Sequence, residues 1–102
     1  MSVLGELSRL MEEYTDAYAA ACDEEAEKEN AYLRRFSTAL LDSEAPATVR
    51  AKTAECQAVE ERCAWNDAVA ARKRTHAKVE EVRNRLMAAM SHQRFVREAT
   101  GG

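Results

Sequence analysis

Five side chains in this sequence have the chemistry of metal ligands or nucleophiles: Cys22, Cys56, Cys63, His76 and His92. Thiolate and imidazole together make a zinc site or a nucleophile–base pair. Their spacing favours neither. Cys56, Cys63, His76 and His92 lack the CxxC and HxxxH intervals that bring two ligands to one ion. On one helix Cys56 and Cys63 would stand about 10 Å apart, at 1.5 Å per residue. That is too far for a disulfide. Three cysteines without framework spacing read as small buried or half-buried thiols in a reducing compartment. Both histidines have polar neighbours and read as half-exposed. The sequence predicts no metal site and no cofactor.

Carboxylates are the other candidates. Glu25 and Glu29 fall on an otherwise apolar helix stripe, where bundle proteins hold di-metal sites. Such a site needs a Glu-x-x-His pair on a neighbouring helix, and the sequence has none. A polar layer or a solvated break in the seam is the expectation. Glycine occurs only at 5, 101 and 102, so no interior loop can cradle phosphate. No catalytic residue is predicted, and the expectation is a protein that is not an enzyme.

The elements that carry these residues are helices. Of 102 residues 20 are alanine, and the only proline is Pro46. Nothing inside the chain has the Gly/Pro punctuation of a sheet fold, and the Ala/Glu/Arg-rich composition reads as long helices. The segment from Leu41 to Thr48 is the one clear boundary. Proline disfavours a helical residue before it and fits a first turn. Helix 1 is expected at about 3–42 and helix 2 at about 46–99, in a single domain over 1–102. Ser2 can cap the first helix, and Asp42 or Ser43 the second. Thr100, Gly101 and Gly102 do not sustain the last one.

A short connection between long helices makes antiparallel neighbours, with residue i beside roughly residue 90 − i. Charge supports this hairpin. Residues 1–45 hold 4 Lys/Arg against 11 Asp/Glu, and residues 46–102 hold 11 against 7. The acidic start of helix 1 would lie along the basic end of helix 2. The apolar stripe of helix 1 is Val3, Leu7, Leu10, Met11, Tyr14, Tyr18, Cys22, Leu33, Phe36 and Leu40. Its steps fit an 11-residue repeat better than a heptad, which predicts nearly straight helices. In helix 2 the stripe runs Val49, Cys56, Val59, Cys63, Ala70, Val79, Val82, Leu86, Met90 and Val96. Each stripe has one polar interruption, around Glu25 to Asn30 and around Arg72 to Lys78.

Two helices cannot cover all the large apolar residues between them. The expectation is a homodimer forming a coiled-coil-like four-helix bundle, with Tyr14, Tyr18, Trp65 and Val69 at the oligomer interface. A second surface is the end of helix 2, expected to project past helix 1. There His92, Arg94, Phe95 and Arg97 are the candidate partner-binding residues, since apolar groups flanked by arginine are typical of interfaces. The basic run Arg72, Lys73, Arg74 and Lys78, followed by Arg83 and Arg85, opens an alternative, contact with nucleic acid phosphates. Against it stand a formal net charge of −3 and little aromatic interleaving. No apolar run reaches 18 residues, so no membrane span is expected. Met1 to Tyr14 has no basic region followed by an apolar stretch, so a cytoplasmic location is expected.

The run from Tyr14 through Tyr18 to Glu29, Tyr32 and Phe36 resembles the first helix of small helical-hairpin accessory proteins of tailed bacteriophages. Ala47 to Glu55 resembles the start of their second helix, and Met87 to Arg97 its end. The resemblance covers most of the chain. It implies a non-enzymatic accessory protein in the host cytoplasm, acting on a host protein, including a defence protein, or on a phage protein. It equally admits a nucleic-acid-binding accessory factor of recombination or replication. It implies no site residues. A resemblance to secreted WXG-type hairpins does not hold, because Trp65 is followed by Asn66 and Asp67 inside helix 2, away from the turn.

Overall fold

The computed structural model describes residues 2–101. Among them are three α-helices and no strand. Helix α1 spans Val3–Asp42, α2 Ala47–Gln57 and α3 Val59–Ala99. Local chemistry sets most of their ends. Gly5 N–H donates to Ser2 Oγ at 3.0 Å, which satisfies one of the first-turn amides that no carbonyl of the helix can reach. At the other end Gly101 has φ +75° and its N–H donates to Glu98 O at 3.2 Å. A glycine in the left-handed region is the usual stop after a helix, because no Cβ opposes it. Gly102, also expected in this stop, lies outside the described residues.

The connection departs from expectation in one detail. Neither Asp42 nor Ser43 caps the second helix. Pro46 occupies the N-cap position, with φ −57° and ψ 152° and no side-chain cap. Ser43 Oγ instead accepts from Ala45 N–H at 3.2 Å, inside the turn. The Arg50 guanidinium reaches back to the Ala45 carbonyl, at 3.3 and 3.4 Å. Proline serves at this point because the cap position needs extended ψ and no N–H.

The expected single helix over about 46–99 is two helices. Ala58 separates them, with φ −103° and ψ 16°. The interruption is slight. Ala58 N–H still donates to Ala54 O, and Arg62 N–H to Ala58 O, both at 3.0 Å. No glycine or proline marks the position, so nothing local announced it.

Two compact units divide the chain. One comprises Met1–Ala19 and Lys73–Gly102, the other Ala20–Arg72. In the first unit Lys78 Nζ lies 5.9 Å from the centroid of the Tyr14 ring, and the Tyr18 and His76 rings are 5.4 Å apart. In the second, Arg72 Nε donates to Glu25 Oε2, and the Tyr32 and Trp65 rings are 5.6 Å apart. The expected register would set Tyr18 near residue 72 and Glu25 near residue 65. Both meet residues further along the chain.

On α1 the expected stripe is buried or half-buried except at Val3 and Leu33, and on α3 Val79, Val82 and Leu86 hold. Elsewhere on α2 and α3 the packed face differs from the expected stripe. The buried residues on α2 and α3 and at the break between them are Ala54, Ala58, Ala68 and Val82. Ala54, Ala68 and Val82 recur every two heptads, which an 11-residue repeat cannot do. On α1 the line Leu4, Leu7, Met11, Tyr14, Tyr18, Ala21, Glu25, Lys28 and Tyr32 advances by threes and fours and is buried or half-buried throughout. Val49, Cys56, Val59, Cys63, Ala70, Met90 and Val96, expected in the stripe, are exposed, as is Leu33. Alanine explains the difference. Ala54 and Ala58 are 0% exposed; with a single methyl each, they let backbones approach closely and so take the inner face from larger neighbours.

A candidate protein-interaction surface

In the second unit the packed line contains charge. Glu25 and Arg72 stand where each stripe has its polar interruption, and the two interruptions meet as one ion pair. Their side chains are half-buried, so water screens the attraction only partly. Further along, Arg62 Cζ lies 4.2 Å from the Trp65 ring centroid and 5.5 Å from that of Tyr32. A guanidinium over two aromatic faces gains from the ring quadrupoles. Tyr32 and Phe36 rings follow at 5.9 Å. Two polar atoms here, Glu61 Oε2 and Trp65 Nε1, are buried without a hydrogen-bond partner. Around this cluster Leu33, Leu41, Val49 and Val59 are exposed.

In the first unit the packed line is apolar, with Leu7 and Val82 buried. Beside it, Leu4, Met87, Met90, Arg94 and Arg97 line an open groove of about 410 Å³. Met87 and Met90 are 56% and 57% exposed. Val3, Leu4, Ala89 and His92 line another hollow. From Met90 to Gly101 every residue is exposed.

These positions place each predicted residue. His92, Arg94, Phe95 and Arg97 are all exposed, but they do not share one surface. Arg94 and Arg97 border the methionine groove, whereas His92 borders the hollow with Val3. Tyr14, Tyr18, Trp65 and Val69 are half-buried, and the rings of the first three are engaged within their own units by Lys78, His76, and Arg62 with Tyr32. Met90 belongs to the expected apolar stripe and Arg83 to the basic run; neither joins them with Met87 as one surface. The missed signal is a second line of threes and fours, Arg83, Met87, Met90, Arg94 and Arg97, adjacent to the packed one.

Among the described residues no group of three or more His, Cys, Asp or Glu side chains could hold a metal ion. No helix there is long and apolar enough to cross a membrane. Cys56 and Cys63 are exposed and Cys22 is half-buried. No family model, curated protein or solved structure matches the chain.

Proposed function

We propose that this chain is a non-enzymatic accessory protein of the phage type. It is an antiparallel helical hairpin that pairs with a second copy as a four-helix bundle, and it acts in the host cytoplasm by occupying the surface of another protein, a host defence protein among the candidates. One observation carries the reading: large apolar side chains left in water. Val3, Met87, Met90 and Phe95 in one unit and Leu33, Leu41, Val49 and Val59 in the other are all at least 47% exposed. Clustered apolar surface rimmed by charge is the mark of an interface. The ring and ion contacts support the hairpin, since partner numbers fall along α3 as they rise along α1. Two experiments test it. Sedimentation at tens of micromolar should give twice 11.4 kDa. Capture from host lysate, read by mass spectrometry, should return a defined protein that a scrambled helical control does not. A monomer that captures nothing refutes the proposal.

A second reading has its own support. Lys73, Arg74, Lys78, Arg83, Arg85, Arg94 and Arg97 are all exposed on α3, and residues 72–97 hold 8 basic groups against 2 acidic. This suits a nucleic-acid-binding accessory factor of recombination or replication. Phosphate contacts release counterions, so affinity for DNA would fall steeply with salt. A salt titration showing no binding at 50 mM salt excludes it.

A further inference from the structure

The methionine groove belongs to a flank of the first unit that has a composition of its own. On α3 the flank carries Arg83, Met87, Met90, Arg94 and Arg97. On α1 the corresponding line is Leu4, Ser8, Met11, Thr15 and Tyr18. This line is free of charge; Glu12 and Asp16 stand on its outer side, and Glu6 and Glu13 lie on the opposite face of α1, where Glu13 pairs with Arg9. One position further out stands Glu12, at the rim. The flank therefore has an apolar centre, a basic edge on α3 and an acidic edge on α1. Arg83 Nη1 approaches Glu80 Oε1 on its own helix at 3.7 Å, and its side chain is 58% exposed, leaving donors for a further partner.

We propose that this flank docks on the same flank of a second copy of this chain, with the two-fold axis running along the helices. The proposal rests on the self-association read above and adds the face and the symmetry. Charge selects the axis. An axis across the helices would lay α1 on α1 and α3 on α3, setting acid on acid and arginine on arginine. Like charges in register disfavour that arrangement. An axis along the helices lays α1 of one copy over α3 of the other. Levels along the helices are then preserved. Within one unit Leu4 shares a groove with Met90, and Tyr14 lies against Lys78, so Arg83 is level with residues 9 to 11, and Glu12 is the next residue along. Glu12 of one copy thus faces Arg83 of the second copy, twice in each dimer. Leu4 and Met11 cover Met87 and Met90 across the interface.

Surface area agrees with a second copy as occupant. The chain exposes 7516 Å². A folded monomer of this mass ordinarily exposes about 5,800 Å². The excess, about 1,700 Å², lies within what an obligate homodimer removes from each partner.

The test is sedimentation of the full chain and its variants, with helicity followed by circular dichroism. Met87 and Met90 are largely in water, so Met87→Glu with Met90→Glu should keep the helices and sediment as a monomer. Arg83→Glu alone, and Glu12→Arg alone, should each raise the dimer dissociation constant about fivefold to tenfold, two rim pairs being lost per dimer. Combined in one chain they should restore the wild-type constant to within about twofold. A wild-type dimer that the methionine variant leaves intact overturns this face and leaves self-association standing. Monomerisation without rescue by the charge swap overturns the axis. A monomeric wild type overturns the proposal together with the self-association beneath it. If lysate capture by that monomer is lost in the methionine variant, the face belongs to another protein.

Discussion

Arg72 Nε donates to the carboxylate of Glu25 across the packed face of the second unit. Each residue interrupts an apolar line on its own helix. Together they make a polar layer at one level, half-buried on both sides. A layer of this kind is satisfied in one register only. Sliding one helix by a turn would set Arg72 beside Ala21 or Lys28 and Glu25 beside Ala68 or Thr75, leaving half-buried charge unpaired at a cost that exposed pairs do not carry.

A double-mutant cycle on this pair should therefore show coupling. Glu25→Gln, Arg72→Gln and the double variant, melted in urea at one fixed protein concentration, should give an interaction of about 1–2 kcal/mol, above the exposed-pair range and within that of contacting groups. Coupling below about 0.3 kcal/mol would mean that the pair is screened and sets no register.

The alanines of the packed face should resist enlargement. Ala54→Leu, Ala58→Leu or Ala68→Leu should each destabilise by about 1–3 kcal/mol, as overpacking does. Val59→Ala and Cys56→Ala, at exposed positions, should change stability by less than about 0.5 kcal/mol. The opposite ranking would restore the 11-residue line that hydrophobicity favours.

Glu61 is on the packed face with one carboxylate oxygen buried and unpartnered. Replacing it with Met keeps the helix and removes the orphan acceptor. Glu61→Met should raise stability by about 1 kcal/mol, the scale of an unsatisfied buried polar group. A loss of stability instead would show that the carboxylate has a partner in solution.

The thiols should differ in access. Cys56 and Cys63 are exposed and Cys22 is half-buried. An aromatic disulfide reagent added to the native protein should titrate two thiols quickly and a third more slowly, and Cys22→Ser should remove the slow phase alone. Three equal rates would mean that the packing around Cys22 is open.

Sequence by itself settled that the chain is helical and where its outer ends and the turn at Pro46 fall, though not the break at Ala58. Ser2, Pro46 and Gly101 act through their own backbone and the next few residues, so their effect needs no tertiary partner. The poverty of interior glycine and proline acts the same way. Charge asymmetry along the chain was equally plain, and so were the two polar interruptions, though not that Glu25 and Arg72 would meet.

On α1 the expected stripe is the inward face, Val3 and Leu33 excepted; tertiary structure decided which face is inward on α2 and the start of α3. Hydrophobicity ranks Val49, Val59 and Met90 above Ala54, Ala58 and Ala68, and so points to the wrong line. Packing ranks by fit. A methyl group buries little area, about a third of what a leucine side chain does, but it lets two backbones approach closely enough for every neighbouring atom to make contact. The slight opening at Ala58 and the half-burial of Glu61 have no local signal. In the second unit alanine holds the inner face and Val49 and Val59 are turned outward; in the first, Leu7 and Val82 hold it and Met87 and Met90 are turned outward. Their exposure, which supports the binding proposals, is a consequence of packing that no single helix encodes.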